Sequence, residues 1–472
     1  MRSMKQEIMR LLRGIRSLAI LCTQWGDSGK GKLVDLFADW ADIIVRCTGG
    51  NNAGHTVWVN FVKYVLHLIP CGILRPKKIC IIGNGVVLDP MALCKEIEIL
   101  SQAGIDCKGR LFIAHNAKLL LPQHRTMDAL KELAAGRAKI GSTLRGITPA
   151  YVDHYARIGL TANDLLNPQV FAEKLARSLS DHNLLLKAFG KRLVAKVMAN
   201  EKLGLAKFYN AKTNTFNYPA IFNYCCVKKL APMIVDTDQM VRKALREGKN
   251  VLFEGAQGNM LGIDSGTYPY VTSSDCTVAG MAKGAGVYPE DIQLVIAIAK
   301  AFYITRVGEG PFPTEIFGNL AGEIRDEGDE FGATTGRSRR VGWFDVPVQR
   351  YSKHFCGPRA VLALTKLDVL SNQKVIKICT AYRYTGPDYR VGARLLKAGD
   401  LLEVAIPDSR VMAYCHPVYE EYPGWMCKIG HIKEWNELPG PLLRIVKRIQ
   451  DLVKVKLVLA SVGADRKQTI FL

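Results

Sequence analysis

Short apolar runs that end in polar residues recur along the chain, and this pattern constrains the fold more than any other feature. The first run, LAILC, is followed by the glycine-rich segment QWGDSGKGK and then by the helical pattern KLVDLFADWAD. The further runs are ADIIVRC, KICIIGNGVV, NVLFEGAQG, DIQLVIAIA, AVLALTKLD and KVKLVLASVG. Such runs are typical of strands that are buried on both faces, and helical or mixed segments separate them. The sequence therefore predicts an α/β fold with a large, mostly parallel central sheet flanked by helices.

The chain shows no internal domain boundary after its first residues. No repeat, low-complexity tract or linker rich in proline and serine divides it, and the basic stretch at about 167–215 indicates helices inserted beside the sheet. We therefore expect residues 18–472 to form one domain. Residues 1–17 carry five basic residues and one acid. A transit peptide or a membrane-surface helix is compatible with this composition, but it favours a dangling basic extension.

Composition limits the classes of protein to which the chain can belong. With 48% hydrophobic and 23% charged residues it is typical of soluble globular proteins, and it lacks the run of about 18 apolar residues that a membrane span needs. We expect a cytoplasmic protein with no membrane partner. Thirteen cysteines without zinc-site spacing indicate free, buried thiols. The net charge of +21 suits nucleic acid, an anionic membrane surface or polyphosphate substrates, and does not choose among them.

The segment QWGDSGKGKLVD predicts a P-loop-like, phosphate-binding loop. Gly26, Gly31 and Lys32 have the spacing of a P-loop, although Leu33 stands where that motif places a hydroxyl residue for magnesium. Backbone N–H groups at the start of a helix bind anions, and Lys30 and Lys32 add positive charge. The alternative is a solvated turn.

The carboxylate inside this loop requires an explanation of its own. Asp27 would repel phosphate unless a cation lay between them, and Mg²⁺ is commonly held by one or two carboxylates together with substrate phosphates. Asp27 is therefore a candidate magnesium ligand in place of the missing hydroxyl. The alternative is that Asp27 caps the helix that follows.

Three other motifs contain candidate binding or catalytic groups. In LTKLD, the Asp368 carboxylate matches the two N–H donors of guanine and the Lys366 stem covers the base, which favours GTP; a solvated turn is the alternative. His55 in TGGNNAGHT is able to transfer a proton near neutral pH, or is structural. The segment GATTGRSRR, residues 332–340, suits a dicarboxylate and a phosphoryl group, or is an exposed basic loop.

Ten ordered motifs resemble those of the adenylosuccinate synthetase family, from about residue 18 to the C-terminus. They are QWGDSGKGK, GGNNAGHT, GNGVVLDP, IGSTLRGITPAYVDH, FEGAQGNMLGID, GTYPYVTSS, TRVGEGPFPTE, GATTGRSRRVGW, TKLD and SVGADR. Ten matches in the same order are very specific. The resemblance implies a Mg²⁺-dependent homodimeric ligase that joins L-aspartate to IMP with GTP, giving adenylosuccinate, GDP and phosphate through a 6-phosphoryl intermediate. Three anionic ligands also explain the positive charge more simply than nucleic acid does.

The resemblance implies roles for particular residues. Asp27 would take the N1 proton of IMP and ligate Mg²⁺ together with the Gly54 carbonyl. His55 would act as general acid and phosphate ligand, Gln257 would complete the catalytic set, and Arg157 would reach the IMP 5′-phosphate across a dimer interface. The implied GTP-binding residues are Gly26, Gly29, Lys30, Gly31 and Lys32, with 29–32 on the phosphates, the phosphate-facing Arg339, and Lys366, Asp368, Ser461 and Gly463 around guanine. The implied IMP-binding residues are Asp27, Asn52, Thr143, Arg157, Gln257, Thr272, Val307 and Arg337, and those for aspartate are Thr334, Thr335 and Arg337.

The chain departs from the family pattern at seven positions. Ser28 stands in place of glutamate, and Leu144 in place of a glycine, so its side chain would strain the loop if a positive φ is required there. The others are Asn51, Thr148, His154, Gly262 and Ser265, in place of histidine, glycine, lysine, aspartate and histidine. Two further functions therefore stay open. One is a phage-like ligase that joins aspartate to dGMP, against which the retained Asp27 argues, and the other is a non-catalytic protein that binds nucleotide or nucleic acid.

Overall fold

The computed structural model describes residues 3–59, 62–225, 228–332 and 336–472. The strands in these ranges are β1 (Ser17–Cys22), β2 (Ile43–Gly50), β3 (His55–Val59), β4 (Val62–Leu66), β5 (Ile79–Leu88), β6 (Leu111–Ala114), β7 (Lys118–Leu119), β8 (Tyr209–Asn210), β9 (Thr215–Phe216), β10 (Ile234–Val235), β11 (Val251–Glu254), β12 (Leu294–Lys300), β13 (Tyr303–Arg306), β14 (Arg340–Asp345), β15 (Ala360–Thr365), β16 (Val375–Tyr384), β17 (Tyr389–Val391), β18 (Arg394–Leu396), β19 (Leu401–Leu402), β20 (Cys415–Pro423), β21 (Leu457–Ser461) and β22 (Thr469–Phe471). The helices are α1 (Met4–Leu11), α2 (Lys30–Ala38), α3 (Pro90–Gln102), α4 (Pro122–Ala135), α5 (Ile147–Tyr155), α6 (Pro168–Phe189), α7 (Lys191–Met198), α8 (Tyr218–Cys225), α9 (Thr237–Arg246), α10 (Val278–Ala285), α11 (Gly318–Glu327), α12 (Val346–Ser352), α13 (Ser409–Met412) and α14 (Gly440–Val453).

Eleven strands form the central sheet, in the order β10-β6-β5-β2-β11-β1-β12-β15-β21-β22, with β7 beside β5. Neighbouring strands in the described part of this sheet are parallel except β21 and β22. The seven apolar runs of the sequence become β1, β2, β5, β11, β12, β15 and β21, which occupy consecutive positions in the sheet. The predicted parallel α/β architecture is confirmed.

Burial on both faces explains why the central strands are continuously apolar. Leu18 and Ile20 of β1 pack into one hydrophobic cluster, while Ala19 points to the opposite face and packs into another. Helix α2 covers the first cluster through Phe37, and α10 covers the second through Met281. A smaller mixed sheet has the order β13-β14-β16-β19, with β20 beside β16. Helices α6 and α7 occupy most of the basic stretch at 167–215, as predicted.

The first residues do not dangle from the protein, so this expectation was wrong. They form α1, in which Ser3 and Gln6 make a capping box. Ile8 and Leu12 are buried in the cluster that covers one face of the sheet. Arg10 donates to the main-chain carbonyl of Leu472 at 2.9 Å. The apolar stripe of a basic amphipathic helix therefore docks on the fold instead of facing solvent.

Two expectations from composition can be compared with the structure. Twelve cysteines lie in the described ranges; all are free, and eleven of them are buried. This confirms free, buried thiols. Among the described helices, none combines the length and the apolar character that crossing a membrane requires.

Candidate active site

Loops at the carboxyl edge of the central sheet meet one another. At the start of α2, the Lys30 ammonium donates to the main-chain carbonyl of Gln257, which follows β11. The Gln257 side chain donates in turn to Asn52 Oδ1 at 3.3 Å, in the loop after β2. At the end of β15, Thr365 Oγ1 donates to the Ser28 carbonyl at 2.8 Å. The polar strand ends therefore form one crevice, as the parallel sheet predicts.

The loop between β1 and α2 has the geometry of an anion-binding site. Helix α2 begins at Lys30 with Gly29 as its N-cap, and this cap makes no side-chain hydrogen bond to the first N–H groups. A Cβ atom on Gly31 would lie 2.7 Å from the Thr56 carbonyl, so the chain can approach this closely only at glycine. The uncapped N–H groups and the helix dipole together attract negative charge.

Asp27 does not cap the helix, so that alternative was wrong. Its carboxylate accepts a hydrogen bond from Arg339 Nε at 2.5 Å, and 35% of the side chain is exposed. Burial raises the pKa of Asp27, but the positive charges of Arg339 and Lys300 outweigh it and hold the pKa below its usual value. Asp27 is therefore an ionised carboxylate beside the anion-binding loop.

The sequence analysis overlooked Lys300 as a member of the site. Its ammonium is fully buried and donates to Glu330 Oε2 at 2.6 Å and to Thr305 Oγ1 at 2.7 Å. Burial lowers the pKa of Lys300 to about 8. The sequence feature that could have predicted this role is the lysine at the end of the apolar run LVIAIAK. A charge at the end of a buried strand needs a partner.

His55 lies in a buried charged cluster. Its Nδ1 is 2.5 Å from Glu254 Oε1 and 2.8 Å from Arg46 Nη1, and Arg46 also donates to Glu254 at 2.8 Å. Burial, and after it the positive charge of Arg46, lower the pKa of His55 to about 4. The imidazole is therefore neutral at pH 7 in this conformation.

Arg46 and Glu254 were also missed by the sequence analysis. They are paired residues on the neighbouring strands β2 and β11. Each is a single charge at the end of an apolar run, in IIVRC and VLFEG. Two opposite charges in adjacent buried strands are the signal that would have predicted this ion pair.

Two groups of described side chains have the composition of a metal site. They are His55, Cys71 and Glu254, and His124, Asp153 and His182. In the first group, Arg46 already supplies the positive charge beside Glu254. In the second, the Leu121 N–H donates to His124 Nδ1 at 3.0 Å, so His124 Nε2 carries a proton and donates it to Asp153 at 2.9 Å. Neither group offers the all-oxygen ligands that Mg²⁺ prefers.

The residues predicted to surround guanine lie together. Lys366 donates to the Gly328 carbonyl at 2.5 Å and to Glu330 Oε1 at 2.7 Å. The Leu367 N–H donates to the Ser461 carbonyl at 3.0 Å, which joins the ends of β15 and β21. Asp368 Oδ1 is buried and finds no hydrogen-bond partner among the described residues, and burial raises the pKa of its carboxyl group. An unpartnered buried oxygen needs a donor beside it, which a ligand or a water molecule can supply.

Four arginines line a cavity of about 180 Å³ next to this crevice. The lining residues are Gly141, Ser142, Thr143, Leu144, Arg306, Val307, Gly308, Arg337, Ser338, Arg339 and Arg340. Arg337 pairs with Glu309 at 2.8 Å. Arg306, which the sequence analysis overlooked, is buried, and its Nη1 has no hydrogen-bond partner among the described residues. The cavity therefore suits an anionic substrate.

The remaining predicted residues are placed as follows. Gly54 is half-buried immediately before β3, and Thr272 donates its N–H to the Leu261 carbonyl at 2.8 Å. Arg157 is exposed on the segment after α5, with a φ of +65°. Thr334 and Thr335 lie outside the described residues.

Comparison with known proteins decides the family. The family model for adenylosuccinate synthetase matches residues 19–470. The chain belongs to the adenylosuccinate synthetase family. It is 44% identical to adenylosuccinate synthetase of Desulforamulus reducens over 97% of this chain and 98% of that protein, and 44% identical to that of Halothermothrix orenii over 96% and 97%. The chain is therefore a ligase that makes adenylosuccinate, and its family joins aspartate to IMP with GTP.

A solved structure gives the same assignment. A fully ligated adenylosuccinate synthetase from Plasmodium falciparum matches with a TM-score of 0.81 and 34% identity, over 97% of this chain and 100% of that one. A succinoaminodeoxyadenylate synthetase of cyanophage S-2L, bound to dGMP and dATP, matches with a TM-score of 0.57 and 17% identity, over 96% and 94%. The second likeness shows the fold alone and does not favour the dGMP alternative.

Three of the departures from the adenylosuccinate synthetase pattern make local hydrogen bonds. Gly262 and Ser265 both donate to the Asn259 carbonyl, from the main chain at 3.0 Å and from Oγ at 2.7 Å. Thr148 accepts a hydrogen bond from Ser273 Oγ at 2.8 Å. Ser28 Oγ is buried without a partner among the described residues. None of these contacts displaces Asp27, Gln257 or Asp368.

Leu144 adopts a φ of +56°, the left-handed conformation that glycine adopts without strain. We expect Leu144→Gly to be more stable than Leu144→Ala by about 1 kcal/mol, because both variants lose the leucine side chain but only alanine keeps the Cβ strain. The midpoint of thermal unfolding, measured for both variants with and without IMP, checks this. A higher midpoint for the alanine variant would contradict strain at this position.

Proposed function

We propose that this chain joins L-aspartate to IMP in the crevice formed by the loops after β1, β2, β11 and β15. The proposal is carried by the ionised Asp27 beside an uncapped helix N-terminus, together with Asp368, whose Oδ1 has no hydrogen-bond partner among the described residues of the same crevice. In the first step Asp27 accepts the N1 proton of IMP, O6 attacks the γ-phosphorus of GTP, and the bond to the bridging oxygen breaks to release GDP. In the second step the aspartate amine attacks C6, the bond between C6 and O6 breaks, and the leaving phosphate takes the proton that the amine loses.

The binding roles divide among the loops. Gly26, Gly29, Lys30 and Gly31 hold the GTP phosphates, and Arg339 faces the transferred phosphoryl group. The guanine contacts are Lys366, Asp368, Ser461 and Gly463. The IMP contacts are Asn52, Thr143, Gln257, Thr272, Val307 and Arg337, and the aspartate contacts are Thr334, Thr335 and Arg337. The cavity lined by Thr143, Val307 and Arg337 supports this division.

His55 acts as general acid only after its ring turns away from Glu254. In the structure the imidazole is neutral and held by Arg46 and Glu254. The negative charge of GTP at the start of α2, where a Cβ atom on Gly31 would lie 3.3 Å from the Cβ atom of His55, would raise the pKa of the imidazole. Binding of GTP would therefore favour the protonated imidazole, the form that is able to act as general acid.

The donor atoms at this loop fit Mg²⁺. Asp27 offers an ionised carboxylate and Gly54 a main-chain carbonyl, and Mg²⁺ prefers oxygen ligands completed by substrate phosphates. When bound, the ion would neutralise charge on the phosphoryl group in transfer. In the structure the Asp27 carboxylate accepts a hydrogen bond from Arg339.

Product formation tests the proposed function. Purified protein is incubated with GTP, Mg²⁺ and L-aspartate, with either IMP or dGMP as third substrate, and both phosphate release and adenylosuccinate absorbance are followed. Turnover with IMP supports the proposal. Turnover with dGMP alone would assign the chain to the phage-like reaction, and turnover with neither would contradict both.

We propose a homodimer in which Arg157 binds the IMP 5′-phosphate of the partner's site. The exposed position of Arg157 at the end of α5 supports this. We expect Arg157→Leu to raise the KM for IMP about 20-fold and to leave the KM for GTP unchanged, since one charge-assisted contact to phosphate is lost. An unchanged KM for IMP would refute the contact.

A mixing experiment distinguishes a contact across the interface from one within a subunit. Arg157→Leu and Asp27→Asn subunits are denatured together and refolded. Heterodimers contain one intact site only if Arg157 acts across the interface, so about a quarter of wild-type activity is expected. Activity no greater than the sum of the two variants would place Arg157 in its own subunit's site.

We also propose a cytoplasmic location and one domain over residues 18–472. The twelve free cysteines support a reducing compartment. The packing of Ile8 and Leu12 against the main cluster supports an N-terminal segment that docks on this domain.

A further inference from the structure

The ammonium group of Lys32 contacts a loop far away in the sequence. Its Nζ donates to Ser461 Oγ at 2.5 Å, to the Gly463 carbonyl at 2.7 Å and to the Gln468 carbonyl at 3.0 Å. All three acceptors belong to residues 461–468, which we call the base loop. An ammonium group has three N–H donors, so this loop satisfies all of them.

The base loop is closed by its own hydrogen bonds. The Val462 N–H donates to the Gln468 carbonyl at 3.0 Å, and the Asp465 N–H donates to Gln468 Oε1 at 3.1 Å. A Cβ atom on Gly463 would collide with the Gln468 side chain, so this close approach requires glycine. The Ser461 carbonyl accepts from the Leu367 N–H at 3.0 Å, next to Asp368. The position of the base loop therefore fixes one wall of the proposed guanine site.

The ammonium group of Lys30 makes fewer hydrogen bonds within the described part of the protein than that of Lys32. Within the described residues its ammonium makes one hydrogen bond, to the Gln257 carbonyl, and it is buried at the start of α2. Two of its donors are thus available to a ligand beside the uncapped helix terminus. Burial lowers the pKa of Lys32 to about 7, although Asp368 and Asp465 oppose this.

We propose that Lys32 is a positioning residue for guanine recognition, which ties the first turn of α2 to the base loop, and that Lys30 supplies the lysine contact to the phosphates. This reverses the assignment that the Gly26–Gly31–Lys32 spacing predicts. The inference rests on the proposed function, because it takes GTP as the nucleotide.

Separate probes for the base and for the phosphates test the proposal. Guanosine carries only the base and sugar, pyrophosphate carries only phosphates, and GDP carries both. The affinity of each is measured by competition with a fluorescent GDP analogue. For Lys32→Met we expect guanosine and GDP to bind about tenfold more weakly, and pyrophosphate to bind as it does to the wild type.

The matched control is Lys30→Met, which removes a neighbouring ammonium group of the same length. Here we expect GDP and pyrophosphate to bind more weakly and guanosine to be unaffected. Lys32→Met should also raise the KM for GTP without changing the KM for IMP, and its kcat at saturating GTP should remain within about threefold of the wild type. Lys32→Arg preserves charge and length but not the geometry of the three hydrogen bonds, so we expect it to weaken guanosine binding as well. This variant tests the proposal if Lys32→Met fails to fold.

The opposite pattern overturns the inference. If Lys32→Met weakens pyrophosphate and GDP but not guanosine, Lys32 is a phosphate ligand; if all three bind normally, it is neither. Wild-type protein that binds neither guanosine nor GDP would instead refute the proposed function.

Discussion

Asp27→Asn is expected to reduce the rate of adenylosuccinate formation at least about 1,000-fold while the protein stays folded, because it removes a base and a charge at once. Asparagine has nearly the same shape and still accepts a hydrogen bond from Arg339, which now lies 2.5 Å from the carboxylate. It cannot accept the N1 proton of IMP, and it is a poorer ligand for Mg²⁺. The loss should therefore appear in kcat.

Steady-state kinetics and thermal unfolding together check this result. Asp181→Asn is the matched control, since Asp181 is an exposed carboxylate on α6 outside the crevice, and it should leave kcat unchanged. Binding of GDP to Asp27→Asn, measured by titration, shows that the nucleotide site remains formed. Retained turnover in this variant would remove Asp27 from its proposed role.

Much of the fold could be predicted because burial of a strand produces a recognisable apolar pattern in the sequence. Strands buried on both faces are continuously apolar, so the seven runs identified seven adjacent strands of the sheet. The sequence pattern that accompanies the docking of α1 is weaker. Ile8 and Leu12 form a short stripe on a basic helix, and a stripe of that length does not distinguish a docked helix from a free one.

Sequence motifs predicted the residues of the candidate site. They did not predict which residues from distant parts of the chain contact one another. The spacing of Lys30 and Lys32 is local, but Lys32 finds its acceptors in residues 461–468. The motif around His55 likewise contains no sign of Glu254, which holds the imidazole from β11 of the central sheet. The residues that lie beside a given side chain depend on the order of the strands in the sheet. A local motif does not contain that order.

The buried Asp368 oxygen provides the sharpest test of nucleotide choice. Asp368 Oδ1 has no hydrogen-bond partner among the described residues, and guanine presents two adjacent N–H donors that match a carboxylate. We expect Asp368→Asn to raise the KM for GTP about 100-fold and to lower kcat less than about threefold, because two charge-assisted hydrogen bonds are lost before the chemical step begins.

Xanthosine triphosphate separates recognition of the base from general damage to the site. Xanthine carries an oxygen where guanine carries its exocyclic amine, so an asparagine amide can donate to xanthine where a carboxylate would repel it. Asp368→Asn should therefore use xanthosine triphosphate better than GTP, while the wild type shows the reverse preference. If the variant lost activity equally with both nucleotides, Asp368 would be stabilising the fold of the crevice and not reading the base; an exchange of preference would show that this one carboxylate selects guanine.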